Sequence, residues 1–418
     1  MQVRDLPAGE RLRSGIETAV YRGCDPAGAC AFAREAASGR DFTMMIAFAD
    51  RSLPSAEMAR LLKRDVEVPT QVCSTTAGGI GPFGYLDGCV VFVFFPAESF
   101  EALAAVVPAI SSSGLEHGTT VAGELYERFE RHVRHRHPHG GEEGSVFALT
   151  FIDGLSNHEE VVVAAIQRGL PNLPLVGGSA GDGLAFERTR VCLDGRAHED
   201  AAIVCLVWTT VPFAVFKSDH YRPTETRFVV TGCDPERRLV TELNGVDAAT
   251  EYASLLGLDA RNLTPFSFAA YPLAVRVGGE HYCRSIRRVE PDGLSFFCAM
   301  EEGVVLTIAE VGDMVGSLCG ELSRVSDEVG GIDLALGFDC ILRRIEAEER
   351  QLSRRVADVF RQHNVFGFTT YGEQFSSMHL NQTMTGIAFG PGAGRTGTCI
   401  PRMSGGSALA RERVGETA

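Results

Sequence analysis

No run of apolar residues in this chain is long enough to span a bilayer. The longest, Cys89 to Phe95, suits a buried strand, whereas a membrane helix needs roughly 20 such residues. The chain does not open on a basic stretch followed by an apolar one, so secretion is not expected and the cytoplasm is the expected location. Paired cysteines are missing as well. The twelve cysteines are scattered without a Cys-x-x-Cys, which reads as reduced, buried thiols rather than a disulfide framework. Basic charge is scarce: 39 Lys and Arg stand against 54 Asp and Glu, a net charge of −15. That balance excludes nucleic acid as the main partner, because phosphate binding needs a concentrated basic surface.

What is present is ordinary for a globular chain, with 45% apolar and 22% charged residues. At 418 residues it is long for one core and suits two or three compact units. The stretch Leu175 to Phe186 is a strand running into the glycine turn Gly177-Gly178-Ser179-Ala180-Gly181-Asp182-Gly183. Ahead of it lie a strand, Val146 to Ile152, and a helical run from His158 to Leu170; behind it come extended segments to Leu193 and from Ala201 to Trp208. An earlier segment repeats this order: Phe42 to Phe48, a helix near Ser55 to Arg64, Thr70 to Cys73, then Thr76-Ala77-Gly78 and the strand Cys89 to Phe95. Asp87-Gly88 falls near Asp194-Gly195 in this alignment. A third pass follows from order alone: Leu334 to Leu342, a long helix Glu346 to Gln362, Val365 to Thr370, and the turn Tyr371-Gly372-Glu373-Gln374. Repetition at such spacing implies layered units burying their sheets against one another.

The expected fold is therefore α/β (α+β), with repeated strand-helix-strand units forming layered mixed sheets and a β-rich C-terminal module. Residues 1–40 read as a lead-in with a helix near Gly28 to Ser38, and residues 41–210 as a first module of two related halves. Phe100 to Ile110 has a helical apolar pattern, and Glu124 to Arg134 a polar one. The histidine-rich segment near 131–145 reads as a solvated linker, with a metal site as the weaker alternative. Residues 211–390 form the second module, and 391–418, rich in Gly, Arg and Ser, a disordered tail.

The glycine turns miss the phosphate-binding fingerprints, since no Lys-Ser/Thr pair and no helix follow them. Gly177-Gly178-Ser179-Ala180-Gly181 fits the Gly-x-Ser-x-Gly pattern literally, which leaves a Ser179 hydrolase as a remote reading, because the nucleophile turn should lead into a helix. His220, flanked by Asp219 and Tyr221, and His379, between Met378 and Leu380, occupy the most particular settings among the histidines. A neutral imidazole among apolar side chains can ligate iron, although a half-buried histidine at a strand end is the commoner case.

Several of these stretches together resemble the FIST family of bacterial sensory proteins. Val176 to Asp182 looks like the signature of its N-terminal module, and Val240 to Tyr252 like the opening of its C-terminal module. Tyr371-Gly372-Glu373-Gln374 and His379-Leu380-Asn381-Gln382-Thr383 look like that module's end. Asp219-His220-Tyr221-Arg222-Pro223-Thr224, Phe338-Asp339-Cys340-Ile341 with Arg343-Arg344, and Phe368 to Gln374 resemble the nitric-oxide-sensing subgroup, NosP.

The resemblance covers roughly residues 40 to 390. It implies a non-enzymatic cytosolic sensor that holds haem b non-covalently, binds nitric oxide and regulates a histidine kinase, a diguanylate cyclase or a phosphodiesterase. His220 is then the first choice of iron ligand and His379 the second. Tyr221 lies beside the cofactor, and Arg222, Arg284 and the Arg343-Arg344 pair are candidate propionate partners. The alternative keeps the fold but takes a small metabolite such as an amino acid, lined by Gly78, Ser179, Gly181, Asp182, Tyr371, Glu373 and Asn381. A homo-oligomer is compatible with either.

Overall fold

The computed structural model describes residues 12–23, 25–137 and 144–392. It is a mixed α/β fold with a β-rich C-terminal part, and the repeated unit is present three times. Each copy runs strand, helix, strand, helix, strand, short hairpin, strand. The first copy comprises Glu17–Arg22, Pro26–Ala36, Phe42–Asp50, Ser55–Asp65, Thr70–Thr76, the hairpin Gly79–Gly81 and Gly84–Leu86, and Cys89–Pro96. The second comprises Phe100–Pro108, Ile110–Arg136, Ser145–Ile152, Glu159–Gly169, Leu175–Ser179, the hairpin Val191–Leu193 and Arg196–His198, and Ala201–Thr209. The third starts with Phe213–Ser218 and resumes with Met314–Val329, Leu334–Cys340, Ile341–Glu349, Ser353–Gln362, Val365–Thr370, the hairpin Glu373–Phe375 and Met378–Leu380, and Met384–Phe389.

Each copy builds a six-stranded sheet of the same order. The two strands joined by the second helical segment are parallel, as in Phe42–Asp50 with Thr70–Thr76, because a crossover through a helix returns the chain in the same direction. The last strands of each sheet come from another copy. The first copy's hairpin pairs with Val365–Thr370 of the third, the third's with Leu175–Ser179 of the second, and the second's with Thr70–Thr76 of the first. The exchange is cyclic, so each sheet is completed by a neighbour. Where the sheets meet, one phenylalanine from each copy touches the other two: Phe48, Phe151 and Phe338 lie 6.0, 6.5 and 6.1 Å apart, centroid to centroid. Central strands such as Phe42–Asp50 are buried on both faces, which is why they read as unbroken apolar runs.

An insert occupies Tyr221–Val311, between the first strand and first helix of the third copy. Its antiparallel strands form one eight-stranded sheet around its own core of Phe228, Val240, Tyr252, Phe268 and Phe296. Asp247 caps its helix Ala248–Leu255 by accepting from Thr250 N at 2.9 Å, a role for which aspartate is favoured. The insert sits on the second and third copies through Phe297, which packs on Tyr371 and Phe186, and through helix Pro265–Ala270 against Ile341–Glu349.

Several expectations are corrected. Phe100 to Ile110 is not helical: Phe100–Pro108 is a strand paired along its whole length with Ala201–Thr209. The run is apolar at most positions, so no period could separate helix from strand, and the partner strand decides. Asp87-Gly88 corresponds to Glu199-Asp200 rather than to Asp194-Gly195. Gly88 N and Asp200 N donate to Asp50 and Asp153 at 3.2 and 2.6 Å, whereas Asp194-Gly195 is a hairpin tip. The long helix Glu346 to Gln362 is two helices, interrupted where Gln351 adopts φ 58°.

His132 and His137 are not part of a solvated linker. They bond Glu101 at 2.9 and 3.3 Å, and His137 stacks on Trp208. Residues 138–143 and, from 393, the expected tail lie outside the described residues. Among the described residues no helix is long and apolar enough to cross a membrane, and no group of three His, Cys, Asp or Glu is placed to hold a metal ion.

Candidate functional site

The glycine turns of the three copies meet end to end. Ala77 N donates to Thr369 O at 2.9 Å, Thr369 N to Gly78 O at 2.8 Å, Gly181 N to Thr75 O at 3.2 Å, and Ser179 N to Gly372 O at 2.8 Å. Gly181 is needed for this approach, since a Cβ there would lie 2.9 Å from Ala77 N. Most of the predicted small-ligand residues are consumed by the junction itself. Gly78 lies against Arg344. Asp182 accepts from the backbone of Phe186, Glu187 and Arg188 and from the Tyr371 hydroxyl. Ser179 accepts from the Gln374 amide at 2.9 Å. Glu373 accepts from Thr370 and from Thr383, and burial pushes its carboxyl up to about 8. These residues knot the fold.

A different set of side chains gathers where the insert meets the second and third copies. Helix Glu159–Gly169 contributes Glu159 and Glu160 at its first turn. From the insert comes Arg238, 2% exposed, with its backbone in the left-handed region at φ 50°. Its guanidinium reaches Glu159 at 2.7 Å and Glu160 at 2.5 Å and donates to Phe297 O. Ala299 N donates to the other Glu160 oxygen at 2.8 Å. His379 of the third copy lies over Gly372, whose place could hold no Cβ because the ring is 2.2 Å away from one. The Gln374 amide nitrogen lies 3.3 Å from His379 Nδ1; with the amide as donor the ring proton sits on Nε2, near the backbone of Phe297. Burial, chiefly, holds His379 down to about 4 against the pull of Glu160, and Arg238 and Arg284 push the same way as burial. The imidazole is therefore neutral at neutral pH.

This cluster is left incomplete. His379 Nε2, Arg238 Nε, Arg287 Nε, Ser285 Oγ, Asn381 Oδ1 and Gln374 Oε1 are all buried without a hydrogen-bond partner. Each such atom costs about 1–3 kcal/mol when water is excluded, and buried polar groups of this kind are normally paired with protein, water or a ligand. Of the residues predicted from sequence, His379, Asn381 and Arg284 are here. Arg238, Arg287, Ser285, Glu159, Glu160 and Gln374 were missed. Arg238 follows Asp234-Pro235 and reads as a solvated turn residue, and nothing local in the sequence marks it as buried.

His220, Tyr221 and Arg222 lie elsewhere, where the chain enters the insert. His220 Nε2 bonds Glu346 at 2.8 Å and Nδ1 accepts from Arg343 at 2.8 Å, with the side chain 1% exposed. Arg343 also donates to Asp339, which in turn accepts from Tyr85. Tyr221 donates to His281 O and accepts from Cys283 N, and Arg222 is exposed. Arg344 binds Asp87 and Glu348.

Neither histidine fits a haem. Both nitrogens of His220 are engaged and its surroundings are ionic, while His379 is wedged between Gly372 and a cluster of charges where a porphyrin needs an apolar slot.

The chain belongs to the FIST family: residues 43–246 match the FIST N domain and residues 248–376 the FIST C domain, which marks it as a sensory, signal-transduction domain. No curated protein matches it. The limit between the two family domains falls inside the insert, at the start of helix Ala248–Leu255.

Proposed function

We propose that the chain senses a small polar molecule at the junction of Arg238, Arg287, Ser285, His379 and Asn381. Binding would seat the insert on the second and third copies and so alter the surface offered to a signalling partner, a histidine kinase or a cyclic-di-GMP enzyme. The observation that carries this reading is the convergence of orphaned polar atoms from the insert and the third copy. A molecule that satisfies them binds only where these residues are brought together, and so shifts the population toward the docked insert. The same linkage raises thermal stability. A screen of small metabolites, amino acids among them, is expected to contain compounds that raise the melting temperature of the wild type but not of His379→Leu. If no compound separates the two proteins, the ligand site is wrongly placed.

The resemblance to nitric-oxide sensors leads to a different expectation, which the residues around His220 and His379 do not support. Added hemin is expected to give the spectrum of free hemin in the presence of the protein. A sharp Soret band that disappears in His379→Ala would restore the gas-sensing reading. Hydrolysis by Ser179 is disfavoured on chemical grounds. Its hydroxyl is bonded by an amide, which is no base.

A further inference from the structure

We infer that the junction site takes a small oxyanion, a carboxylate or phosphate head group, held between Arg238 and Arg287 of the insert and His379 of the third copy. The inference rests on the ligand site proposed above and names its chemistry. Two N–H groups there meet no acceptor, Arg238 Nε and Arg287 Nε, and a third, His379 Nε2, has only the backbone of Phe297 nearby, out of line for a full hydrogen bond. A guanidinium donates and never accepts, so only an acceptor can complete two of the three. Ser285 Oγ, also without a partner, can donate a fourth hydrogen. Arg238, Ser285, His379 and Asn381 are 2%, 1%, 4% and 1% exposed, so bulk water does not fill these positions.

Charge points the same way. Arg238, Arg284 and Arg287 share the site with Glu159 and Glu160, and the imidazole is neutral. Asp153 adds a third carboxylate beside Glu159, and Arg288 and Glu290 near Arg287 pair with each other. Burial raises Glu159 to about 7, so the negative side falls short of the three arginines. Arg284 and Arg287 are half-buried and partly solvated, but Arg238 is enclosed, and a buried excess charge is unfavourable until it is paired. An oxyanion supplies both the missing acceptors and the missing charge. A zwitterion would bring an ammonium group among three arginines, and a polyol would leave the excess charge unpaired. Asn381 Oδ1, an orphaned acceptor, leaves room for a hydroxyl elsewhere on the ligand.

Calorimetric titration of the full chain at matched ionic strength tests this, with succinate, inorganic phosphate, alanine, putrescine and ribitol as probes. Succinate or phosphate is expected to bind, and which of them does so identifies the head group. Arg287→Met, at a half-buried position, is expected to weaken that binding at least about tenfold, and His379→Gln to weaken it less, because the amide keeps a donor. Binding of alanine, putrescine or ribitol in place of the anions, abolished by His379→Leu, would leave the site standing and overturn its charge preference. Anion binding unchanged in Arg287→Met would place the anion elsewhere and overturn the inference. Failure of all five probes to bind would overturn the inference, while the wider metabolite screen decides the site separately.

Discussion

Cut between residues 210 and 211, the chain is expected to give two fragments, neither of which folds alone. The division looks natural in sequence, since it precedes the third copy. The sheets say otherwise. The hairpin Gly79–Gly81 and Gly84–Leu86 pairs with Val365–Thr370, and Glu373–Phe375 pairs with Leu175–Ser179, so each fragment would hold strands whose partners are in the other. The core shared by the three copies would open as well, exposing Phe48, Phe95, Phe147, Phe151, Phe338, Phe366 and Phe368.

Uncovering a buried phenylalanine costs about 1.5–3 kcal/mol. Seven of them cost about 10–21 kcal/mol, at or above the roughly 5–15 kcal/mol by which a whole domain is stable. Circular dichroism and dye binding on residues 1–210 and 211–418 are expected to show no cooperative melt separately, and a native-like melt when the two are co-expressed. A cooperative transition in residues 1–210 alone would mean that the exchanged hairpins contribute little.

The local parts of this architecture were legible and the cyclic exchange was not. The crossovers around Phe42–Asp50 and Ser145–Ile152 announce themselves through apolar strands next to amphipathic helices. No residue says that the hairpin after Gly78 belongs to a sheet formed nearly 300 residues later, because pairing over such a separation is decided by the assembled surface.

The glycine turns misled in an instructive way. A glycine reports close approach, and the approaching body can be protein as readily as ligand. At Gly181 it is Ala77. His220 was singled out correctly as unusual, yet its two nitrogens are spent on Arg343 and Glu346. Arg238 could not have been found at all from a window around Asp234-Pro235, since its burial is created by Glu159 and Glu160, nearly 80 residues away.

Arg343→Met is expected to be among the most destabilising single changes in the protein, and His220 to make the loss depend on pH. Only two crossings join the insert to the third copy, and they touch: Gly312 N donates to His220 O at 2.5 Å. The His220 ring locks this crossing to helix Ile341–Glu349. Arg343 can only donate, so Nδ1 of His220 must accept and Nε2–H must face Glu346. Removing Arg343 strands Asp339, 0% exposed, with Tyr85 as its remaining side-chain donor. Breaking such a buried pair from one side costs about 3–5 kcal/mol. Arg344→Met, which releases the exposed Asp87 and Glu348, should cost about 1 kcal/mol or less.

Burial, reinforced by the Arg343 charge, holds His220 below its ordinary value of 6.5 although Glu346 and Asp339 pull it up. The unfolded chain therefore binds a proton near 6.5 that the folded chain refuses. Stability from this group is complete above 6.5 and falls as the pH drops from 6.5 toward the folded value. Glu373, raised to about 8, acts in the opposite sense, losing stability as the pH rises from the ordinary carboxylate range to about 8, so the total curve mixes the two. The difference between wild type and His220→Gln, which keeps an acceptor and a donor, isolates the histidine. Denaturant midpoints measured from pH 7.5 to 5 should fall more steeply in the wild type than in His220→Gln. Parallel curves would mean that the imidazole takes up its proton equally in the folded and unfolded states across this range, and that the crossing is not sensitive to acid.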